Sequence, residues 1–213
     1  MKQDYNFDVD KIKSLSNEEK VYRKKYLDIF LKTGFPNKQI EDWKFTDLNA
    51  ILNKNFDKIT NNFKFDLNKK FKILENFEHN YILLNNGMLS KSDFNYEDKD
   101  KIVIKNFKNT NTVTPITTNN LTLLNKALSS GGYSLEVFEN YKLKKPLIIY
   151  NYFSENLKNV MLNNSNNTKL NKGSELTVVE YTIDNSKNNF IKNTLDKISL
   201  DNNAVYKNIS IQN

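Results

Sequence analysis

Lys172-Gly173-Ser174-Glu175-Leu176-Thr177-Val178-Val179-Glu180-Tyr181 is a polar turn that runs into an alternating, β-branched stretch. Thirty residues later Asn202-Asn203-Ala204-Val205-Tyr206 takes the same form. A small residue in a turn followed by period-two alternation is the pattern of a short strand entered through a tight turn. Working outward, the same signals predict strands over 133–138, 147–153, 160–162, 175–183, 191–200 and 204–211, with no helical period after Gly132. Short strands without crossover helices fit a sandwich or a solenoid of stacked coils, and the pattern alone leaves both open.

Upstream the period changes. Ser16 and Glu19 form a capping box, and Tyr22, Tyr26, Ile29 and Phe30, with Leu27 and Leu31, recur at helical spacing over 17–33. Gly34 supplies a left-handed stop and Pro36 forbids continuation. A second short helix is expected with Thr46 as N-cap, Asp47 complementing the dipole, and Leu48, Ile51 and Leu52 as its apolar face. Residues 53–80 read as an irregular connector. A β run at 81–84 ends in the tight-turn signal Asn85-Asn86-Gly87, and 102–107 reads as a strand. Leu121, Leu124 and Leu128 give one inserted helix, terminated by Gly131-Gly132. The expected division is a helical N-terminal domain with connector over 1–80, then a β domain over 81–213 with one inserted helix near 119–130.

A chain of 213 residues buries roughly 70% of its extended surface on folding. A mean hydropathy of -0.68 leans toward disorder. Fourteen Phe and eleven Tyr argue the other way, because disordered chains lack such burial-driven side chains, and the chain reads as folded. The net charge of +7 raises nucleic acid as a partner. Yet Arg23 is the sole arginine, whereas phosphate and base recognition favour the bidentate guanidinium. No nucleic-acid or membrane partner is expected. Cysteine is absent, which removes disulfides, thiolate metal ligands and a cysteine nucleophile. The N-terminus lacks the marks of a secretory signal and no apolar run reaches spanning length, so a cytoplasmic location is expected.

Candidate chemistry is sparse. Glu41-Asp42, Glu97-Asp98 and Asp100 sit in polar sequence and are expected to be solvated. His79, the sole histidine, has no Gly-x-Ser-x-Gly turn to serve, and Gly131-Gly132 lacks the spacing of a phosphate loop. No residue is given a catalytic or metal role, and cofactor-binding residues stay unassigned. Two segments stand out. Trp43, the only tryptophan, lies between a helix stop and a helix cap and is expected to pack the helices together. Glu180 and Gln212 are polar residues of the β region, expected by alternation to face solvent.

The helix followed by Gly34-Phe35-Pro36 and then Glu41-Asp42-Trp43-Lys44-Phe45-Thr46-Asp47-Leu48 resembles the N-terminal domain of SufD, in the SufB/SufD family of the SUF iron–sulfur cluster assembly system. Leu83-Leu84-Asn85-Asn86-Gly87, Leu124-Asn125-Lys126-Ala127, Lys145-Pro146-Leu147-Ile148, Glu175 to Tyr181, and Asn203-Ala204 with Gln212 are similar to further family segments, in the family's order. The resemblance implies a mainly β fold: an α-helical N-terminal domain, then a right-handed parallel β-helix, incomplete at the C-terminus. It implies a scaffold and not an enzyme, with SufB and the ATPase SufC as partners. An iron–sulfur cluster would be present only transiently, at the level of the complex. Because family members continue beyond the position of Asn213, the chain is expected to be C-terminally truncated, without the family's SufC-contact and interface residues. Gly34, Pro36, Glu41, Asp42, Trp43, Thr46 and Asp47 are expected to be structural. The competing reading is a β-helix protein that binds or cleaves polysaccharide, which needs acidic residues clustered on adjacent coils. An RNA-binding reading needs basic and aromatic residues interleaved on one sheet face.

Overall fold

A computed structural model describes residues 4–13, 15–63, 71–108 and 119–211. Helix α1 (Asn17–Thr33) begins at the expected capping box: Ser16 Oγ accepts from the Glu19 amide at 3.1 Å, and Glu19 Oε2 accepts from the Ser16 amide at 2.9 Å. It ends at Gly34, whose φ of 72° favours a residue without Cβ. Helix α2 (Leu48–Asn55) is capped by Asp47 and not by Thr46, because Asp47 Oδ1 reaches the Ala50 amide at 2.9 Å. Helix α3 (Asn120–Leu128) is capped by Asn119 and closes at Ser129, before the two glycines.

Strands β1 (Asp4–Asn6) and β2 (Lys58–Thr60) pair in parallel. The other nine are β3 (Asn80–Asn85), β4 (Met88–Asp93), β5 (Ile102–Asn106), β6 (Tyr133–Val137), β7 (Leu147–Phe153), β8 (Met161–Leu170), β9 (Glu175–Asp184), β10 (Ile191–Leu200) and β11 (Val205–Ile211). They form two sheets, in the orders β11-β9-β7-β3-β4 and β10-β8-β6-β5. From β6 onward successive strands alternate between the sheets, and from β8 onward each pairs in parallel with the strand two places before it. The repeat read from the sequence is this register: Glu175 lies beside Val205, and Met161 beside Ile191, each thirty residues apart.

The expectation of an α-helical N-terminal domain followed by a right-handed parallel β-helix is corrected here. Both large sheets are mixed, since β3 pairs β4 and β5 pairs β6 antiparallel. The β3–β4 hairpin follows from Asn86 and Gly87, both at positive φ (49° and 81°), the requirement of a two-residue turn. Nor do the N-terminal helices form a core of their own. Tyr26, Leu27 and Phe30 of α1 and Leu52 of α2 bury in one cluster with Ile59 of β2, Leu124 and Leu128 of α3, and Met161 of β8. The chain is mostly β, with three α-helices among the described residues.

Between the sheets lies a second cluster that includes Ile82, Leu135, Val137, Leu147, Leu170, Leu176 and Val178. The outer face of β3 and β7 carries a third, of Tyr81, Leu83, Ile148, Tyr150 and Tyr152. Strand β8 runs on to Leu170, past the expected 160–162, through the polar stretch Asn163-Asn164-Ser165-Asn166-Asn167. These asparagines are interior ladder residues. Asn193 Nδ2 donates to Asn163 Oδ1 at 2.8 Å across the β8–β10 pair, and Asn125 of α3 donates to the Asn164 and Asn193 carbonyls at 2.8 and 2.9 Å. Satisfied amides of this kind can be buried without the loss of an unpaired polar group.

Candidate functional site

The strand alternation that builds the inter-sheet core also builds a polar compartment. On β9, Leu176 and Val178 point inward, and Glu180 shares their parity. On β7 the inward residues Leu147 and Ile149 are followed by Asn151. On β10 the partners of inward-facing Asn166 and Thr168 are Asp196 and Ile198, with Thr194 next in phase. Toward this end of the strands, the interior therefore changes from aliphatic to polar. A small cavity of about 20 Å³ is lined by Ile149, Asn151, Glu180, Lys192, Thr194 and Asp196, among others. A neighbouring one of about 50 Å³ opens between Thr168, Glu180, Asp196, Tyr206 and Asn208. Tyr133 and Asn166 border both.

The polar contacts inside are partial. Asn166 Nδ2 donates to Asp196 Oδ1 at 2.7 Å, and Asn208 Nδ2 donates to Glu180 Oε1 at 3.1 Å. The Tyr133 amide donates to Asn166 Oδ1 at 3.2 Å. Burial, followed by the nearby Glu180 and Asp196 carboxylates, pushes the Tyr206 phenol up to about 12. The Tyr133 phenol is also raised, mainly by burial, with the same two carboxylates contributing. Both phenols thus stay protonated. The expectation that Glu180 faces solvent is corrected: its parity with Leu176 and Val178 was the signal that places it inside. Gln212 lies outside the described residues.

The remaining sequence candidates fall elsewhere. Glu97 is buried and not solvated. It accepts from Asn80 Nδ2 and the Tyr141 hydroxyl, each at 2.7 Å, and from the Lys144 and Lys145 amides, so it ties the turn before Pro146 to β3. Burial acts to raise its pKa, but the hydrogen bonds from the Lys144 amide, Asn80, Tyr141 and the Lys145 amide outweigh it and hold the carboxyl low. Asp98 is paired with Lys144 at 2.7 Å, and Asp100 is exposed. His79 is buried among Phe77, Tyr81 and Tyr150; Nδ1 meets Phe77 O at 2.6 Å and Nε2 the Tyr150 hydroxyl at 2.9 Å. Both ring nitrogens are engaged in holding the segment before β3 against the sheet. Gly131 and Gly132 do not stop α3. They let the chain pass close to β8: a Cβ on Gly132 would lie 1.8 Å from Ser165 O.

The motif residues share one surface segment between α1 and α2. Gly34 opens it and Pro36 is buried. Glu41 and Asp42 are exposed, and Glu41 pairs with Lys44 at 2.9 Å. Trp43 is half-buried, and its amide and carbonyl join Ile40 O and the Thr46 amide, each at 2.8 Å. Thr46 is exposed and Asp47 caps α2. Trp43 stands outside the cluster formed by Phe30, Phe35 and Leu52. Next to it Phe45 is 88% exposed, with Lys44 Nζ over its ring at 5.2 Å.

This loop falls within a longer match, in which the family model described as the SufBD protein N-terminal region aligns with residues 3–149. The chain belongs to the SufBD family. Comparison with curated proteins found no match. SufBD membership places the chain in the family of SUF iron–sulfur cluster assembly proteins, whose partners are other SUF components. The SufBD match takes in all three helices, strands β1 to β6 and the start of β7. Most of the polar compartment, from Asn151 to Asn208, lies beyond it. Among the described residues no helix is long and apolar enough to cross a membrane.

Proposed function

We propose that this chain acts as a SufD-like scaffold subunit of a SUF complex in the cytoplasm, associating with SufB and with the ATPase SufC without catalysing a reaction itself. The SufBD match over residues 3–149 carries the reading. Two properties support a scaffold over a cluster-building subunit. These 213 residues contain no cysteine, so none of them can hold a thiolate-bound cluster or a persulfide. The sole histidine has both ring nitrogens engaged in hydrogen bonds. An iron–sulfur cluster is then cargo of the complex, and this chain's contribution is surface and shape.

Depletion of the protein in a cell that relies on SUF tests this reading. The expected result is loss of the visible absorbance of a reporter ferredoxin while its polypeptide accumulates, with restoration on re-expression. Unchanged cluster content after complete depletion would overturn it.

A further inference from the structure

The polar compartment between the sheets holds more ligating capacity than its internal hydrogen bonds use. Asn151 is 5% exposed, and its side-chain amide has no partner among the described residues. Thr194 Oγ1 is buried and likewise without a hydrogen-bond partner. Both line the same cavity of about 20 Å³ as Glu180 and Asp196. Each carboxylate accepts one amide bond, to a single oxygen, and neither has a cationic side chain within ion-pair distance among the described residues. Lys192, which also borders the cavity, directs its Nζ over the Phe153 ring at 5.9 Å. Glu180 is half-buried and Asp196 exposed, so the two like charges share the rim of one polar space, also bordered by Lys197, while the buried Thr194 Oγ1 beside them carries the cost of an unmade bond. A single bound cation would relieve both.

We propose that this compartment is a binding site for one hard divalent cation, held by the Glu180 and Asp196 carboxylates with Thr194 Oγ1 and Asn151 Oδ1. The donor set is all oxygen, which selects Mg²⁺, Ca²⁺ or Mn²⁺ over metals that prefer nitrogen or sulfur. The adjoining space of about 50 Å³ has room for water completing the coordination. The raised phenols of Tyr133 and Tyr206 are consistent with the negative potential such a site concentrates. The cation crosslinks β7, β9 and β10, tying the outer strands of both sheets together. The site is built from residues outside the SufBD match and is independent of the proposed SUF role.

Titration of the full chain with Mn²⁺, followed by loss of the free six-line electron paramagnetic resonance signal, tests it. One Mn²⁺ per chain is expected, with Mg²⁺ or Ca²⁺ competing, and a thermal midpoint that rises with Mn²⁺. Glu180→Gln and Asp196→Asn each weaken binding by about ten-fold or more. In chelator Glu180→Gln is expected to melt no lower than wild type, because one repelling charge is gone. Glu175→Gln, on the same strand but at its exposed Lys142 pair, binds as wild type. Absence of stoichiometric Mn²⁺ binding, or wild-type affinity in both Glu180→Gln and Asp196→Asn, overturns the proposal.

Discussion

Arg23 is the one basic residue of 32 that is an arginine, and it is 4% exposed. Its Nη1 donates to Ser129 O at 2.6 Å and to Ala127 O at 3.4 Å, placing a fixed cation on the last carbonyls of α3. A lysine ends in a single, more strongly hydrated ammonium on a differently shaped stem, which is costlier to bury at this site. Arg23→Ala is expected to lower stability by about 2 kcal/mol, read as a shift in the urea midpoint, with Arg23→Lys recovering only part. Two glycines make a second comparison. A Cβ on Gly34 meets nothing within 4 Å, so Gly34→Ala should cost only backbone strain, about 1–2 kcal/mol. Gly132→Ala adds a collision with the Ser165 carbonyl and should cost about 3 kcal/mol or more. Equal losses in the two variants would contradict the close approach of the chain to β8. At Glu97 the linkage has a definite sign. Its pKa is lower in the folded state, so the folded chain binds fewer protons and its stabilisation is present above the ordinary carboxylate pKa. That stabilisation is lost as pH falls through and below about 4. Against Glu97→Gln, the wild-type advantage should be full at neutral pH and should shrink in acid. A constant difference across that range would remove the carboxylate from the account.

At the scale of elements, β10 and β11 each form one edge of their sheet, with β5 and β4 at the opposite edges. Strand β11 places Ile209 beside Val179 and Ile211 beside Tyr181, which extends the outer apolar face to an edge where these isoleucines are 55% and 41% exposed. An exposed apolar edge is a template for pairing. The isolated chain should therefore self-associate with rising concentration in sedimentation velocity, and Ile209→Lys should reduce it. A wild-type chain that stays monomeric at high concentration would contradict this. The helix termini were legible in the sequence because caps act locally: Ser16 with Glu19, and Gly34, each need only their neighbours. Asp47 replaced Thr46 as cap because either side chain can serve and only geometry chooses. The length of β8 was not legible, since Asn163 to Asn167 are turn formers in isolation and become ladder residues only when Asn125 and Asn193 supply partners.

At the scale of the whole molecule, the thirty-residue repeat was readable because parallel pairing writes its register into the sequence as a spacing. The antiparallel edges were not, because β4 carries Ser90, Lys91 and Ser92 and reads as polar, and its strand identity comes from pairing with β3. The shared core of α1, α2, α3 and β8 was equally hidden, since an apolar helix face does not name what covers it. The polar compartment was legible in part: Glu180 follows Leu176 and Val178 in phase, but Asn151, Thr194 and Asp196 converge on it only through the alternation of strands between sheets. What the family match and the missing cysteine support together is a subunit that works through its partners. The most direct measurement is affinity purification of the tagged protein, expressed from its full-length gene, after co-expression with SufB and SufC from the same organism. A stable complex that survives size-exclusion chromatography is the predicted result, and a soluble chain that elutes apart from both proteins would contradict the scaffold role.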